Sequence, residues 1–123
     1  MSAYGAFLMA QHAAQRMLPV GAGAMLFTGA SAGVKGFTKS SVFAMGKFAL
    51  RGLCQSLAGE LHPQGIHIGH FVIDGGIAST PMENAQSARL DPDAIADSYI
   101  HFLDQHRSAW AWEIELRPWV ESF

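Results

Sequence analysis

The feature that most constrains the fold is an alternation of helical and extended patterns along the 123 residues. Apolar runs suited to buried strands lie at residues 24–28, 66–73 and 111–116, and each follows a helical pattern, at residues 3–17, 40–61 and 91–105. This α-β-α-β-α-β order predicts a three-layer α/β fold, in which a small parallel sheet is flanked by helices. A chain of this length suits one core, so we expect a single domain over residues 1–123.

Composition and charge exclude several classes of function. Half of the residues are hydrophobic and 15% are charged, which indicates a packed core. A net charge of −2, with no cluster of Lys or Arg, argues against a nucleic-acid partner. No apolar run reaches the ~18–20 residues of a membrane span, so we expect no membrane partner. Cys54 is the only cysteine, which excludes a disulfide framework and favours a reducing, cytoplasmic setting.

The six histidines do not have the spacing of a metal site. His67 and His70 lie three residues apart in a predicted strand, so their side chains should point to opposite faces. His101 and His106 are five residues apart in a predicted helix, which is a poor spacing for a shared ion. We therefore predict no metal ligands in this chain.

Phe43 and Lys47 lie four residues apart near the start of the second predicted helix, which places both side chains on one face. This segment resembles the short-chain dehydrogenase/reductase family, in which a Tyr and a Lys have that spacing. In the family the Tyr gives a proton to the substrate carbonyl, while the Lys lowers the pKa of the Tyr and holds the nicotinamide ribose. The phenyl ring of Phe43 has no proton to give.

Three later segments strengthen the resemblance by their order and spacing. Lys47 to Leu53 is similar to the family's segment after the lysine, and Glu60 to Ile68 is similar to its E-L-x-x-x-G-I-x-V pattern. Asp74 to Ser79 falls where the family has P-G-x-I-x-T. The resemblance covers nearly the whole chain but matches only the second half of a family member. It implies half of a Rossmann fold.

The resemblance implies a set of site residues. Lys47, Ser31 and Phe43 fall at or beside the catalytic positions, and Ala30 falls on the family's catalytic serine, thirteen residues before Phe43. The cofactor would be NAD or NADP, and the strand that selects between them is not in this sequence. The positions implied for cofactor binding are Lys47, Asp74, Gly75, Ile77 and Ser79.

Alternatives remain open for these residues. Residues 28–36 also resemble the family's phosphate loop T-G-x-x-x-G-x-G, although the last glycine comes one position late. Lys47 is otherwise a solvated helix lysine, and Ser31 and Ser79 are otherwise loop caps.

The function is also open among three hypotheses: an oxidoreductase with impaired activity, a non-catalytic interaction module, and a fragment of a longer reductase. Family members associate through two long helices, so the resemblance implies a homo-oligomer through helices 3–17 and 40–61. The glycines and alanines of the second helix suit such a close contact.

Overall fold

A computed structural model describes residues 2–78 and 89–120 of the chain. Its helices and strands are, in chain order, α1 (Ser2–Met17), β1 (Gly23–Ala30), α2 (Ser41–Leu61), β2 (Ile66–Ile73), α3 (Pro92–Leu103) and β3 (Glu113–Leu116). Short 3-10 turns follow β1 and α2 and precede β3. The predicted α/β fold, with its α-β-α-β-α-β order, is confirmed.

The three strands form one parallel sheet in the order β1-β2-β3. In the register, Ala30 pairs with Ile73, and Ile73 pairs with Leu116. All eight residues of the central strand β2 are buried, as its continuous apolar run requires. The carboxyl ends of all three strands therefore lie at the same end of the sheet, which is where open parallel sheets bind ligands.

Helices cover both faces of the sheet. Helices α1 and α2 pack on one face, around a buried cluster that consists of Ala10, Met25, Ala58, Leu61, Ile66 and Ile68. On the other face, Phe102 of α3 packs with Phe71 and Ile73 of β2. The Phe102 ring lies directly over Gly69, where an added Cβ would overlap it. The three-layer arrangement predicted from the sequence is thus confirmed.

Two strands differ from their predicted bounds. The first strand was expected at residues 24–28 but continues to Ala30, because Gly29 and Ala30 pair with Val72 and Ile73. The third strand begins at Glu113 instead of residue 111. The carbonyl of Trp112 still accepts a hydrogen bond of 2.7 Å from the His70 N–H, so pairing with β2 starts just before the strand.

Local signals explain how α3 begins. The Asp91 side chain accepts a hydrogen bond of 3.1 Å from the Asp93 N–H, and Pro92 occupies the first helical position. The helix ends at Leu103, two residues before the predicted end at Gln105.

The start of α2 has no such cap. Ser40 precedes α2, but its side chain makes no capping hydrogen bond there.

The described part of the chain also bears on membrane and metal partners. None of its helices combines the length and the apolar character that crossing a bilayer would take. Within the same residues, no group of three or more His, Cys, Asp or Glu side chains could hold a metal ion. His67 stacks on Phe102 on the α3 face, whereas His70 pairs with Glu113 below α2, so the predicted opposite orientation is confirmed.

Candidate active site

The carboxyl end of β1 brings together two of the predicted site residues. Ser31 starts the 3-10 turn Ser31–Gly33, which packs against α2. A Cβ added at Gly33 would lie 3.2 Å from the Lys47 carbonyl oxygen, so a residue larger than glycine would require the backbone of Lys47 or of the turn to move. The turn that carries Ser31 therefore lies against the helical turn that carries Lys47.

Lys47 and Phe43 interact on the same face of α2. The Lys47 Nζ lies 5.6 Å from the centroid of the Phe43 ring, within range of a cation–π contact. Lys47 is half-buried, whereas 55% of Phe43 is exposed. Among the described residues no carboxylate oxygen lies within 4 Å of the Lys47 ammonium, so its charge is not neutralised by an ion pair there.

Asp74 is engaged by its neighbours in the sheet. Its N–H donates a hydrogen bond of 2.8 Å to the Leu116 carbonyl, and its Oδ2 lies 3.0 Å from the Arg117 Nη2. Arg117 also pairs with Glu115. These contacts tie the ends of β2 and β3 together. The proline that the family has at this position could make neither contact, since it lacks both an N–H and a charge.

The chain turns away from the sheet directly after Asp74. Gly75 has a φ of 146°, a conformation that side-chain-bearing residues rarely adopt. Ile77 pairs with Leu90 in an isolated bridge and is 48% exposed. Ile77 also lines a groove of about 430 Å³ against α3. Ser79, the remaining predicted cofactor residue, lies outside the described residues.

A polar network that could not be predicted from the sequence lies between α2, β2 and β3. Arg51, one turn after Lys47, donates two hydrogen bonds to Glu113, with Nε–Oε1 at 2.7 Å and Nη2–Oε2 at 3.0 Å. The His70 Nδ1 lies 2.9 Å from the same Glu113 Oε1, and the fully buried His70 ring covers Gly29. The network therefore links α2 to β2 and β3 and fills the space over β1.

The electrostatics of the network follow from burial and pairing. Burial acts to raise the pKa of Glu113, but the hydrogen bonds and charges of Arg51 and His70 outweigh burial and hold that pKa below its ordinary value. Burial, reinforced by the Glu113 charge, raises the pKa of the Cys54 thiol to about 12. Cys54 is therefore a protonated packing residue at neutral pH and is not a nucleophile.

The structure does not favour the phosphate-loop interpretation of residues 28–36. In that motif the glycine-rich turn leads directly into the helix N-terminus. Here Gly29 belongs to β1 and lies under His70, while α2 begins only at Ser41. Two of its three glycines, Gly29 and Gly33, are buried against a neighbouring residue, whereas Gly36 is exposed and has no atom within 4 Å of its added Cβ.

Comparisons with known proteins give the family. Residues 1–91 match the family model described as short chain dehydrogenase. Short chain aldehyde dehydrogenase 1 from Euphorbia lathyris is 30% identical over 96 residues, which are 77% of this chain and 33% of that protein. Human 17-beta-hydroxysteroid dehydrogenase type 1 is 46% identical over 48 residues, which are 39% of this chain and 15% of that protein.

Solved structures agree over almost the whole chain. A short-chain dehydrogenase from Rhodopseudomonas palustris is 36% identical, with a TM-score of 0.81 over 97% of this chain and 49% of that one. A serine dehydrogenase complexed with NADP+ shares the fold, with a TM-score of 0.86 at 15% identity, over 99% of this chain and 54% of that one. The chain thus spans about a third of the curated plant relative and about half of these structures. It belongs to the short-chain dehydrogenase/reductase family.

Proposed function

We propose that this chain forms the nicotinamide end of the active site in an NAD- or NADP-dependent oxidoreductase that acts on an alcohol or carbonyl substrate. The observation that supports this proposal is the packing of the Ser31 turn against the turn of α2 that carries Lys47, at the carboxyl ends of the strands. Two proteins with this fold are complexed with NADP or NADP+, which suits the same cofactor class.

The residues at this edge fit the nicotinamide half of such a cofactor. Lys47 is half-buried, and no described carboxylate neutralises its ammonium group, which suits hydrogen bonding to ribose hydroxyls. Gly75 and Ile77 offer main-chain groups on the turn that leaves β2, and Ser79 follows them. Asp74 is assigned a supporting role, because its ion pair with Arg117 fixes the start of that turn.

The chemistry that a nicotinamide cofactor supplies when bound is the gain or loss of a hydride. Reduction of a carbonyl creates an alkoxide, which needs a positioned proton donor. Phe43 has no ionisable proton, and Ala30 has no hydroxyl to orient the carbonyl. The Lys47 ammonium, acting through a bound water, is the donor that remains near this position. We therefore propose that turnover by this chain is impaired relative to a family member with the tyrosine.

A titration of the chain with NADH and NADPH, followed by energy transfer from its tryptophans, tests the proposal. We expect saturable binding with a Kd in the range of about 1 mM, because the residues named above would contact only the nicotinamide end of the cofactor. Lys47→Ala should abolish this binding. Lys35→Ala is the matched control, since the Lys35 Nζ also lies over a phenyl ring, at 5.8 Å from Phe37, but in an exposed loop. Unchanged binding by Lys47→Ala would contradict the proposal.

Phe43→Tyr gives a second test that concerns the proton donor. We expect it to raise carbonyl reduction only when the chain binds cofactor. A Phe43→Tyr variant that binds NADPH but reduces simple carbonyls no faster than the wild-type chain would contradict the assignment of residue 43 to the proton-donor position. The wild-type chain, assayed alongside, provides the basal rate.

An apolar surface on α1 and α2 supports a second proposal, which concerns self-association. Val42, Met45 and Tyr4 are 77%, 68% and 59% exposed, and they line a groove of about 660 Å³. Exposed apolar patches of this kind mark association sites. We propose a homo-oligomer through these two helices, which Met45→Glu should dissociate in sedimentation analysis.

For the cellular location we propose the cytoplasm, because the thiol of Cys54 is unpaired and buried.

A further inference from the structure

Positive and negative charges are divided unevenly along this chain. The first 59 residues contain five Lys or Arg and no Asp or Glu, whereas all ten Asp and Glu lie at Glu60 or later. All three lysines, Lys35, Lys39 and Lys47, lie between the carboxyl end of β1 and the first turns of α2. They are not adjacent, so the pattern differs from the basic runs that bind nucleic acid.

The backbone of Lys35 and Lys39 is fixed beside the Ser31 turn. The Lys35 N–H donates a hydrogen bond of 3.0 Å to the Ser31 carbonyl. The Ser40 N–H donates one of 3.2 Å to the Phe37 carbonyl, which closes a turn that contains Lys39. Lys39 has a φ of 64°, in the left-handed region that favours glycine, and no other non-glycine residue does so in the described part of the chain. Both lysines therefore belong to a defined loop next to the candidate site.

The charges of these two lysines are not compensated by the chain. Both side chains are exposed, and no carboxylate oxygen of a described residue lies within 4 Å of either ammonium group. The Lys35 Nζ lies 5.8 Å from the centroid of the Phe37 ring. A cation–π contact of this kind positions the ammonium group without neutralising it. The loop therefore presents a positive potential to molecules that approach this end of the sheet.

Apolar side chains alternate with the lysines in the same loop. Val34 and Phe37 are 39% and 46% exposed, and Phe43, at the start of α2, is also exposed. A neutral alcohol would leave the ammonium groups unused, and a small inorganic anion would leave the rings unused. The surface is complementary to a ligand that combines an anionic group with an apolar body.

We propose that the loop of residues 34–39 binds the anionic group, a carboxylate or a phosphate, of a carbonyl substrate whose apolar body contacts Phe37 and Phe43. This inference rests on the proposed function and names its substrate class. Lys35 and Lys39 would pair with the anion, whereas Lys47 would hold the cofactor ribose. The phosphates of the cofactor are a second source of the same anionic chemistry, and the experiment distinguishes the two sources.

The experiment titrates the chain with phenylglyoxylate, an aromatic α-keto acid, and with its uncharged methyl ester. Binding is followed through the amide chemical shifts of residues 31–47. We expect the acid to bind about fivefold more tightly than the ester, because two exposed ion pairs contribute this order of discrimination. The preference should disappear at about 0.5 M salt, where the charges are screened. Equal affinities for acid and ester at low salt would overturn the proposal.

Three single substitutions separate the local charges from the net charge. Lys35→Gln and Lys39→Gln should each weaken binding of the acid about threefold and leave binding of the ester unchanged. Arg16→Gln is the matched control, because it also removes one positive charge from the part of the chain that has no acidic residue. Arg16 lies in the last turn of α1, which leads to the amino end of β1. Equal weakening by all three substitutions would overturn the proposal.

Titrations of the same variants with NADH and NADPH separate this inference from the proposed function. We expect Lys35→Gln and Lys39→Gln to bind both cofactors as the wild type does. Weaker cofactor binding, with binding of the acid unchanged, would assign the lysines to the cofactor phosphates and overturn the inference while the cofactor role stands. A preference for the acid that depends on both lysines, in a chain that binds neither cofactor, would support the anion site and contradict the proposed cofactor role.

Vesicles test a macromolecular source of the same chemistry. We expect no cosedimentation of the chain with phosphatidylserine vesicles, because the loop lies beside the Ser31 turn and Lys47. Cosedimentation that is lost in Lys35→Gln, with no binding of phenylglyoxylate, would assign the loop to an anionic lipid surface and overturn the proposal.

Discussion

The two outer strands belong to the same three-stranded sheet, yet different contacts hold them. At the β3 edge, Glu113 accepts two hydrogen bonds from Arg51, and Arg117 pairs with both Asp74 and Glu115. At the β1 edge the neighbouring side chains are alanines, methionines and other uncharged residues. The difference teaches that, among the described residues, ion pairs stabilise the β3 side of the sheet, whereas uncharged residues line the β1 side, where the Thr28 Oγ1 lies 2.7 Å from the Tyr99 hydroxyl.

Aromatic stacking reinforces the β3 side. The His67 ring lies between two others, with centroids 3.9 Å from Phe102 and 4.3 Å from Trp110. Gln105 holds the segment in place, because its carbonyl accepts from the Trp110 Nε1 at 3.1 Å and its Oε1 accepts from the Ala111 N–H at 3.0 Å. A second stack reaches towards β1, because the Tyr99 ring lies 3.8 Å from Phe71 and its hydroxyl lies 2.7 Å from the Thr28 Oγ1.

Removal of a ring from the β3 side should have the largest effect. Phe102 is 1% exposed, so we expect Phe102→Ala to lower the free energy of unfolding by about 3–5 kcal/mol. Met9→Ala, on the β1 side, should cost less than about 0.5 kcal/mol, since Met9 is 74% exposed. Urea denaturation measures both. Equal losses would contradict this difference between the two sides.

Loss of the carboxylate that joins β3 to α2 should have an intermediate effect. Glu113→Ala leaves the buried His70 and the partly buried Arg51 without their partner, and we expect a loss of about 1–3 kcal/mol. Glu115→Ala is the control, because Glu115 is 44% exposed and exposed ion pairs contribute about 0–1 kcal/mol. A loss for Glu115→Ala as large as that for Glu113→Ala would mean that the Arg51–Glu113–His70 network stabilises the fold no more than an exposed ion pair does.

Acid should weaken the β3 side first. The pKa of Glu113 is lower in the folded chain, so its contribution is present above pH 4.5 and declines as the pH falls towards its folded pKa. Burial lowers the pKa of His67, so below pH 6.5 the unfolded chain binds a proton that the folded chain does not. Stability should therefore fall with pH from about 6.5 downwards.

Two variants assign these pH effects by denaturation at several pH values. His67→Phe should remove the pH dependence that begins near pH 6.5, and Glu113→Gln should flatten the part below pH 4.5. A pH profile of His67→Phe that superimposes on that of the wild type would show that His67 is not responsible. Hydrogen exchange can also establish whether β3 loses protection before β2 does.

The smallest effect is expected at Lys47. Its ammonium makes no ion pair among the described residues, so Lys47→Ala should change the free energy of unfolding by less than about 0.5 kcal/mol. The measurement is urea denaturation with Lys35→Ala in parallel. A loss above ~2 kcal/mol for Lys47→Ala alone would make Lys47 a structural residue.

Much of the fold could be predicted because its signals are local. The bounds of β2 match the prediction, since its apolar run is enclosed by Gly65, in a left-handed conformation, and by the Asp74–Gly75 turn. The extension of β1 through Gly29 and Ala30 could not be predicted, because neither residue favours strands. Pairing with Val72 and Ile73, more than forty residues later, determines it.

The candidate site was less accessible to sequence reasoning, because its polar partners are distant in sequence. Asp74 pairs with Arg117, and Arg51 pairs with Glu113, over 62 residues of separation in the second case. The one available signal was the opposite charge of Arg51, on a largely apolar helix, and Glu113, at the start of β3. The catalytic and cofactor roles of Ser31, Phe43, Lys47, Gly75, Ile77 and Ser79 remain predictions.

Two aromatic rings in this chain each rest on a glycine of the sheet, Phe102 on Gly69 and His70 on Gly29. A methyl group at either glycine would occupy the space of the ring. During divergence each pair must therefore change together. A relative with alanine at the position of Gly69 should have a smaller residue at the position of Phe102, and the same compensation should couple the other pair. Such paired substitutions would identify this packing in distant relatives, even where the overall sequence identity is low.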